Sequence, residues 1–262
     1  SMYRLSNFLL IFLCFAVPKA IFVIVILIMK LLFLISGRRL YGGYIAGVVA
    51  LASLAYVVYG ATEGKQHFQI REVTITYKDL PDAFDGYRIL QLSDIHSGSW
   101  TRNGKAIQKA VDMVNAEQAD LVVFTGDIVN NIATELDEFI PILSQIKGKD
   151  GVYSVLGNHD HWMDAKKVKE ALNNANIINL ENDVYPLQKQ NKTLQIAGVD
   201  SITLHKDDIE KVKEKLEKNT PAIMLAHEPD FADTTSKLPQ FILQLSGPVS
   251  YTHLTLPTKL EV

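Results

Sequence analysis

Cysteine is all but missing. Cys14 stands alone among 262 residues, so an internal disulfide is impossible and thiol usage says nothing of redox compartment. An excess of either charge is missing too. The 26 basic and 29 acidic residues leave a net charge of −3, which excludes nucleic acid as a bulk electrostatic partner. Apolar residues at 48% and charged residues at 21% exclude a disordered chain. No internal repeat occurs, which excludes a solenoid or propeller. The length suits one large domain or two small ones.

Charge is scarcest near the N-terminus. Residues 8–35 are apolar but for Pro18, Lys19 and Lys30, and residues 40–60 carry no charge over 21 positions. A helix of about 20 apolar residues spans the roughly 30 Å of bilayer hydrocarbon. Tyr41, Tyr44, Tyr56 and Tyr59 gather toward the two ends of the second run, as interfacial aromatics do. Pro18-Lys19 is expected to split the first run and leave residues 20–36 as a span. Residues 1–65 therefore read as two to three membrane helices. So few charges disfavour a buried hairpin, and a second apolar run disfavours a cleaved signal peptide. Ser1 before Met2 suggests an incomplete or tagged start. Residues 1–65 carry +5 and residues 66–262 carry −8. Gly37-Arg38-Arg39, between the runs, is cytoplasmic by the positive-inside rule. The domain that follows is then expected on the outer face of a multi-pass cell-membrane protein.

Past Lys65, strands and helices alternate. Residues 68–77 follow the period of a strand through Ile70, Val73, Ile75 and Tyr77. Further strands are expected over 88–92, 121–124, 152–155, 193–199, 222–226 and 241–245. Helices are expected over 104–115, 135–146, 164–173 and 207–217. The alternation predicts an α/β domain over residues 66–247, with largely parallel central pairing.

Four of these strands end in side chains with chemistry. Ser93-Asp94-Ile95-His96 follows the first, Gly126-Asp127 with Asn130 the second, Gly157-Asn158-His159-Asp160 the third, and His227-Glu228 the fourth. Open α/β sheets build their sites beyond the carboxyl ends of strands, so one rim gathers this set. Carboxylate, imidazole and amide donors without thiolate suit Mn, Fe or Zn. Cations would also relieve the repulsion of crowded carboxylates and give them a function. Each motif alone is more often a turn or a helix cap. Their order, each after an apolar strand, is what distinguishes them.

Over residues 66–247 this pattern resembles the calcineurin-like metallophosphoesterases, in particular a membrane-associated bacterial branch. The resemblance implies a four-layer fold of two packed sheets flanked by helices. It implies a membrane-anchored phosphoester hydrolase with two divalent metal ions. Asp94 and His96 would hold one, Asn158 and His227 the other, and Asp127 both. A metal-bridging hydroxide would attack phosphorus in line. His159 would stabilise the developing charge or protonate the leaving oxygen, and Asp160 would orient His159. His161 is left outside the site, facing solvent. The membrane anchor points to an envelope or lipid-linked substrate, because tethering raises local concentration. The partners expected are thus the bilayer and a phosphoester, with no nucleic acid.

One departure matters. The family continues into Gly-His-x-His after its last strand, whereas Ser246-Gly247 is followed here by Pro248. Residues 248–258 look like a translated sequencing adapter, so residues 248–262 are expected to be a non-native tail. His253 is a poor substitute ligand. Two of the expected metal ligands are then missing, which keeps a non-catalytic, membrane-anchored binding module as the alternative. Gly98 to Lys105 fails as a phosphate loop, and Asn191-Lys192-Thr193 is a formal glycosylation sequon of low specificity. Trp100 and Trp162 either flank the substrate or pack.

Overall fold

The computed structural model describes residues 2–38, 41–78, 80–100 and 104–247. The expected tail at 248–262, with His253, lies outside them. The chain divides into two compact units, at Val73 and Thr74.

The first unit is a helical pair, α1 (Met2–Ser36) and α2 (Gly42–Ala61). α1 is one helix with Pro18 inside it, not two helices split at Pro18-Lys19. Proline removes one backbone donor, a loss that apolar helices in a membrane tolerate. Gly37 ends α1 in the left-handed region (φ 64°), and its N–H returns to the Phe33 carbonyl at 2.8 Å. Where α2 begins, a Cβ on Gly42 would come within 3.0 Å of Met29 Cβ, and Ala46 is buried. Small residues thus let the helices approach closely. The segments Leu10–Ser36 and Gly42–Ala61 are long and apolar enough to cross a membrane. Their large apolar side chains face outward, as with Phe8, Leu34 and Val48.

The second unit holds two four-stranded sheets. In the first, β1 (Ile89–Leu92), β2 (Leu121–Thr125), β3 (Val152–Val155) and β4 (Ile178–Asn179) lie in sequence order, all parallel. α3 (Lys105–Ala116), α4 (Ile140–Leu143) and α5 (Ala165–Asn174) make the crossovers. In the second, β5 (Asp183–Lys189) pairs antiparallel with β6 (Lys192–Gly198). β7 (Ala222–Ala226) and β8 (Phe241–Ser246) then add parallel strands. α6 (Ile209–Lys215) and α7 (Ala232–Thr235) belong to this half.

Strand alternation sorts the core into layers. On β2, Val122 and Phe124 pack with Val111, Val114, Leu143 and Leu172 of the helices. Leu121 and Val123 face the other way, onto Leu194, Ile196, Ile223 and Leu225 of the second sheet. Met224 and Ala226 of β7 turn outward to Val212 and Phe231. A strand buried on both faces reads as a continuous apolar run, as β2 and β7 do. The result is the expected four layers: helix, sheet, sheet, helix.

Two further local expectations fail. Residues 68–77 are not a strand: they pair with no strand among the described residues, and Ile70, Val73, Ile75 and Tyr77 are exposed. Alternation makes a segment fit for a sheet, but the ladder needs a partner. Residues 135–146 are not one helix. A 3-10 turn at Ala133–Glu135 and the single turn of α4 flank a break. Pro141 has no N–H to give a preceding turn, so the helix starts there instead of running through. The antiparallel β5 and the short β4 were not anticipated.

Candidate metal centre

The strand ends meet as the sequence predicts, through an unusual backbone. Past β1 and β2 the two segments keep pairing: the Asp94 N–H donates to Gly126 O, His96 to Asp127 O and Ser97 to Ile128 O, at 2.9–3.1 Å. To do so, Asp94 (φ 53°), His96 (φ 45°) and Asp127 (φ 53°) all enter the left-handed region. That region is costly for residues with a Cβ, and such strain concentrates at functional sites. Two glycines allow the crowding. A Cβ on Gly126 would lie 2.5 Å from His227 Nδ1, and one on Gly157 would lie 2.2 Å from Asp127 Oδ1.

Ligand atoms of Asp94, Asp127 and His227 lie within 4.8 Å of one another. Asp127 is the hub. Its Oδ1 accepts the His159 backbone N–H at 2.9 Å. Its Oδ2 is buried with no hydrogen-bond partner, 3.4 Å from His227 Nε2 and 3.8 Å from His96 Nε2. His96 Nε2 also lies 3.7 Å from Asp94 Oδ1, while the Ser93 hydroxyl donates to Asp94 Oδ2 at 2.5 Å. The Thr125 carbonyl lies 2.7 Å from His227 Nδ1. A carbonyl only accepts, so Nδ1 carries the proton and Nε2 is turned to Asp127. By the same logic the Asn130 carbonyl, 2.6 Å from His159 Nδ1, fixes that ring and leaves its Nε2 free.

Charge follows geometry. Burial pushes Asp127 up, but the His227 imidazole 3.4 Å away and the His159 N–H outweigh it, so its carboxyl lies below the ordinary range. Burial pulls His227 down, yet Asp127 and the Thr125 carbonyl raise it to about 9. His96 is raised, chiefly by the neighbouring Asp94 carboxylate. An anionic oxygen without a donor, aimed between two imidazole nitrogens, suits a cation.

Asp160 is where expectation and structure part. Its Oδ1 accepts the N–H groups of Ile128 and Val129 at 2.9 and 3.0 Å, and its Oδ2 accepts that of Gly157 at 2.9 Å. It therefore clasps the Asp127 loop to the Gly157 turn, and the Asn130 carbonyl orients His159 in its place. A buried carboxylate is drawn to N–H donors that have no other partner, and three surround it. Burial pushes its carboxyl up to about 6. Asn158 opens the 3-10 turn His159–His161, between the Gly157 and His159 amides bound to Asp160 and Asp127.

His161 does not face solvent. Its side chain is 3% exposed and Nε2 lies 2.5 Å from the buried Asp200 Oδ1. The rule that selects Asp94 and Asp127 also selects Asp200, two residues past β6. Beside it, Glu228 accepts from the Ser201 hydroxyl at 2.6 Å and the Thr203 N–H at 3.2 Å. Glu135 secures the far side, taking the Asn130 N–H at 2.6 Å. Trp100 packs against the core with its indole N–H on the Ile95 carbonyl, whereas Trp162 stacks on the His159 ring.

The family model for calcineurin-like phosphoesterase matches residues 87–254. A transmembrane protein with metallophosphoesterase domain from Danio rerio is 31% identical over 219 residues, covering 79% of this chain and 50% of that protein. The uncharacterized metallophosphoesterase YkuE of Bacillus subtilis is 29% identical over 228 residues, covering 85% of this chain and 79% of the relative. The chain thus spans half the length of the Danio rerio relative. Among solved structures, the NAD nucleotidase of Haemophilus influenzae superposes with a TM-score of 0.45 at 15% identity, over 64% of this chain and 39% of that one. Two apolar helices, together with relatives named as transmembrane proteins, associate the chain with membranes.

Proposed function

Because the chain belongs to the calcineurin-like phosphoesterase family, we propose that it is a membrane-anchored phosphoester hydrolase working with two divalent cations of the Mn, Fe or Zn type. The observation that carries this reading is Asp127 Oδ2, buried, without a donor, and set between the Nε2 atoms of His96 and His227. Asp94 and His96 would hold one cation, Asn158 and His227 the other, with Asp127 shared. Bound cations supply polarisation of the phosphoryl oxygen and a water acidic enough to ionise near neutral pH. The remaining work belongs to side chains. Thr125 and Asn130 carbonyls fix the tautomers of His227 and His159. His159 Nε2 would then be the atom that passes a proton to the leaving oxygen, from the ring protonated on both nitrogens. Asp160 keeps the two ligand-bearing loops in register.

The anchor favours an envelope or lipid-linked phosphoester, since tethering keeps the site close to the bilayer. The arginines between the spans favour an outward-facing domain; protease shaving of intact cells that leaves the domain untouched overturns that placement. The activity test is Mn²⁺-stimulated cleavage of bis(p-nitrophenyl) phosphate by the full chain. Asp127→Asn is expected to reduce it by more than about a hundredfold. Equal turnover in the two proteins refutes the assignment. Mn²⁺ binding without turnover in the parent chain supports the binding module instead.

A further inference from the structure

Trp162 has no part in the chemistry above, yet it is placed against it. Its indole stacks on the His159 imidazole, with ring centroids 3.8 Å apart and planes at 29°. His159 in turn meets the His96 ring edge-on, at 4.8 Å and 82°. The three rings run outward from the ligand cluster in the order His96, His159, Trp162. His159 covers part of the indole, but Trp162 is still 53% exposed, so much of the ring that His159 does not cover is open to solvent.

The surroundings are apolar where a hydrolytic site could have been polar. Met163, next in the chain, is exposed. So is Ile132, two residues beyond Asn130, whose carbonyl holds the His159 ring. Three large apolar side chains are thus left in water on the two segments that position His159.

We infer that Trp162 determines specificity by stacking on a planar aromatic or heteroaromatic ring in the leaving group of the phosphoester. This rests on the reading of the site as a phosphoester hydrolase. In that reaction the bond from phosphorus to the leaving oxygen breaks, water supplies the new oxygen on phosphorus, and the leaving oxygen takes its proton from His159. A substituent on that oxygen lies next to His159 and so beside the part of the indole that His159 leaves uncovered. Offset ring stacking favours a flat aromatic group over an alkyl one of equal charge.

The test is binding to the full chain loaded with Mn²⁺, by titration calorimetry, using inorganic phosphate, methyl phosphate and phenyl phosphate. Phenyl phosphate is expected to bind about five- to tenfold tighter than methyl phosphate. The preference is expected to vanish in Trp162→Ala and to survive in Trp162→Phe, with inorganic phosphate unchanged in both. Equal binding of the two esters by the parent chain, or a preference that persists in Trp162→Ala, overturns the inference while leaving the hydrolase reading intact. Failure of inorganic phosphate to bind in an Mn²⁺-dependent, Asp127-dependent way overturns the hydrolase reading and this inference with it.

Discussion

Removing the Asp160 carboxylate separates two accounts of that residue. In Asp160→Ala, three backbone donors lose their acceptor: Ile128, Val129 and Gly157. All three bonds are buried, so water does not replace the oxygen cheaply. Each stranded N–H costs about 1–3 kcal/mol, and the set about 3–9 kcal/mol. Set against a total domain stability of about 5–15 kcal/mol, this is a large fraction. Asp160→Asn keeps one carbonyl oxygen for Ile128 and Val129 but turns its amide toward the Gly157 N–H, for a smaller loss of about 1–3 kcal/mol. Because the same three amides join the Asp127 loop to the Gly157 turn, Mn²⁺ affinity falls with stability, in the order parent, Asn, Ala. Urea titration followed by circular dichroism and Mn²⁺ calorimetry measure the two quantities. If Asp160 acted on His159 instead, turnover would fall while stability and Mn²⁺ affinity held. An Ala variant within about 1 kcal/mol of the parent, with unchanged Mn²⁺ affinity, refutes the clasp.

Three further outcomes are expected. Gly157→Ala drives a methyl to within 2.2 Å of Asp127 Oδ1 and is expected to weaken Mn²⁺ binding by about ten- to a hundredfold, measured by calorimetry. His227, at about 9 before a cation binds, must release its proton to ligate. Calorimetry in buffers of different ionisation enthalpy is expected to show proton release, with affinity falling about tenfold per pH unit below that value. Burial pushes Asp120 up, but its Lys149 ion pair at 2.7 Å and the Arg88 N–H outweigh it and hold the carboxyl below the ordinary range. A depressed folded-state value gives stability above the unfolded value that is lost as pH falls through the folded one. Asp120→Asn is therefore expected to have a lower urea midpoint at pH 7 and a flatter decline below about pH 4.

The candidate metal-ligating side chains were legible because each is local to a strand end. An apolar run of four or five residues followed by Asp, Asn or His is a short-range pattern, and topology does the gathering. The partnerships that hold those side chains were not legible. The Asn130 carbonyl on His159, the Ile128 and Val129 amides on Asp160 and the Asp200 carboxylate on His161 each join loops about 30 or more residues apart. No period links them. The family resemblance makes Asp160 the partner of His159, whereas the unpaired amides nearby claim it. β5 escaped notice because Pro186 and a lack of alternation disguise it. Residues 68–77 show the converse, a strand pattern for which no pairing strand is present among the described residues.

The Asp127–His227 contact has a consequence for how the domain opens and closes. Asp94, His96, Asp127 and His159 all hang from the first sheet, and His227 alone comes from the second, beside Gly247 whose N–H bonds the His227 carbonyl at 2.9 Å. Ligand contacts therefore cross the seam between two halves that the chain builds one after the other. The first half, made of neighbouring strands in sequence order, needs only short-range closure, so its share of the cluster can assemble early. His227 arrives when the sheets dock. Anything bound across the cluster then raises the cost of parting the sheets by RT ln(1 + [L]/Kd). Hydrogen exchange along the facing strands β3 and β7 would register that occupancy far from the site itself.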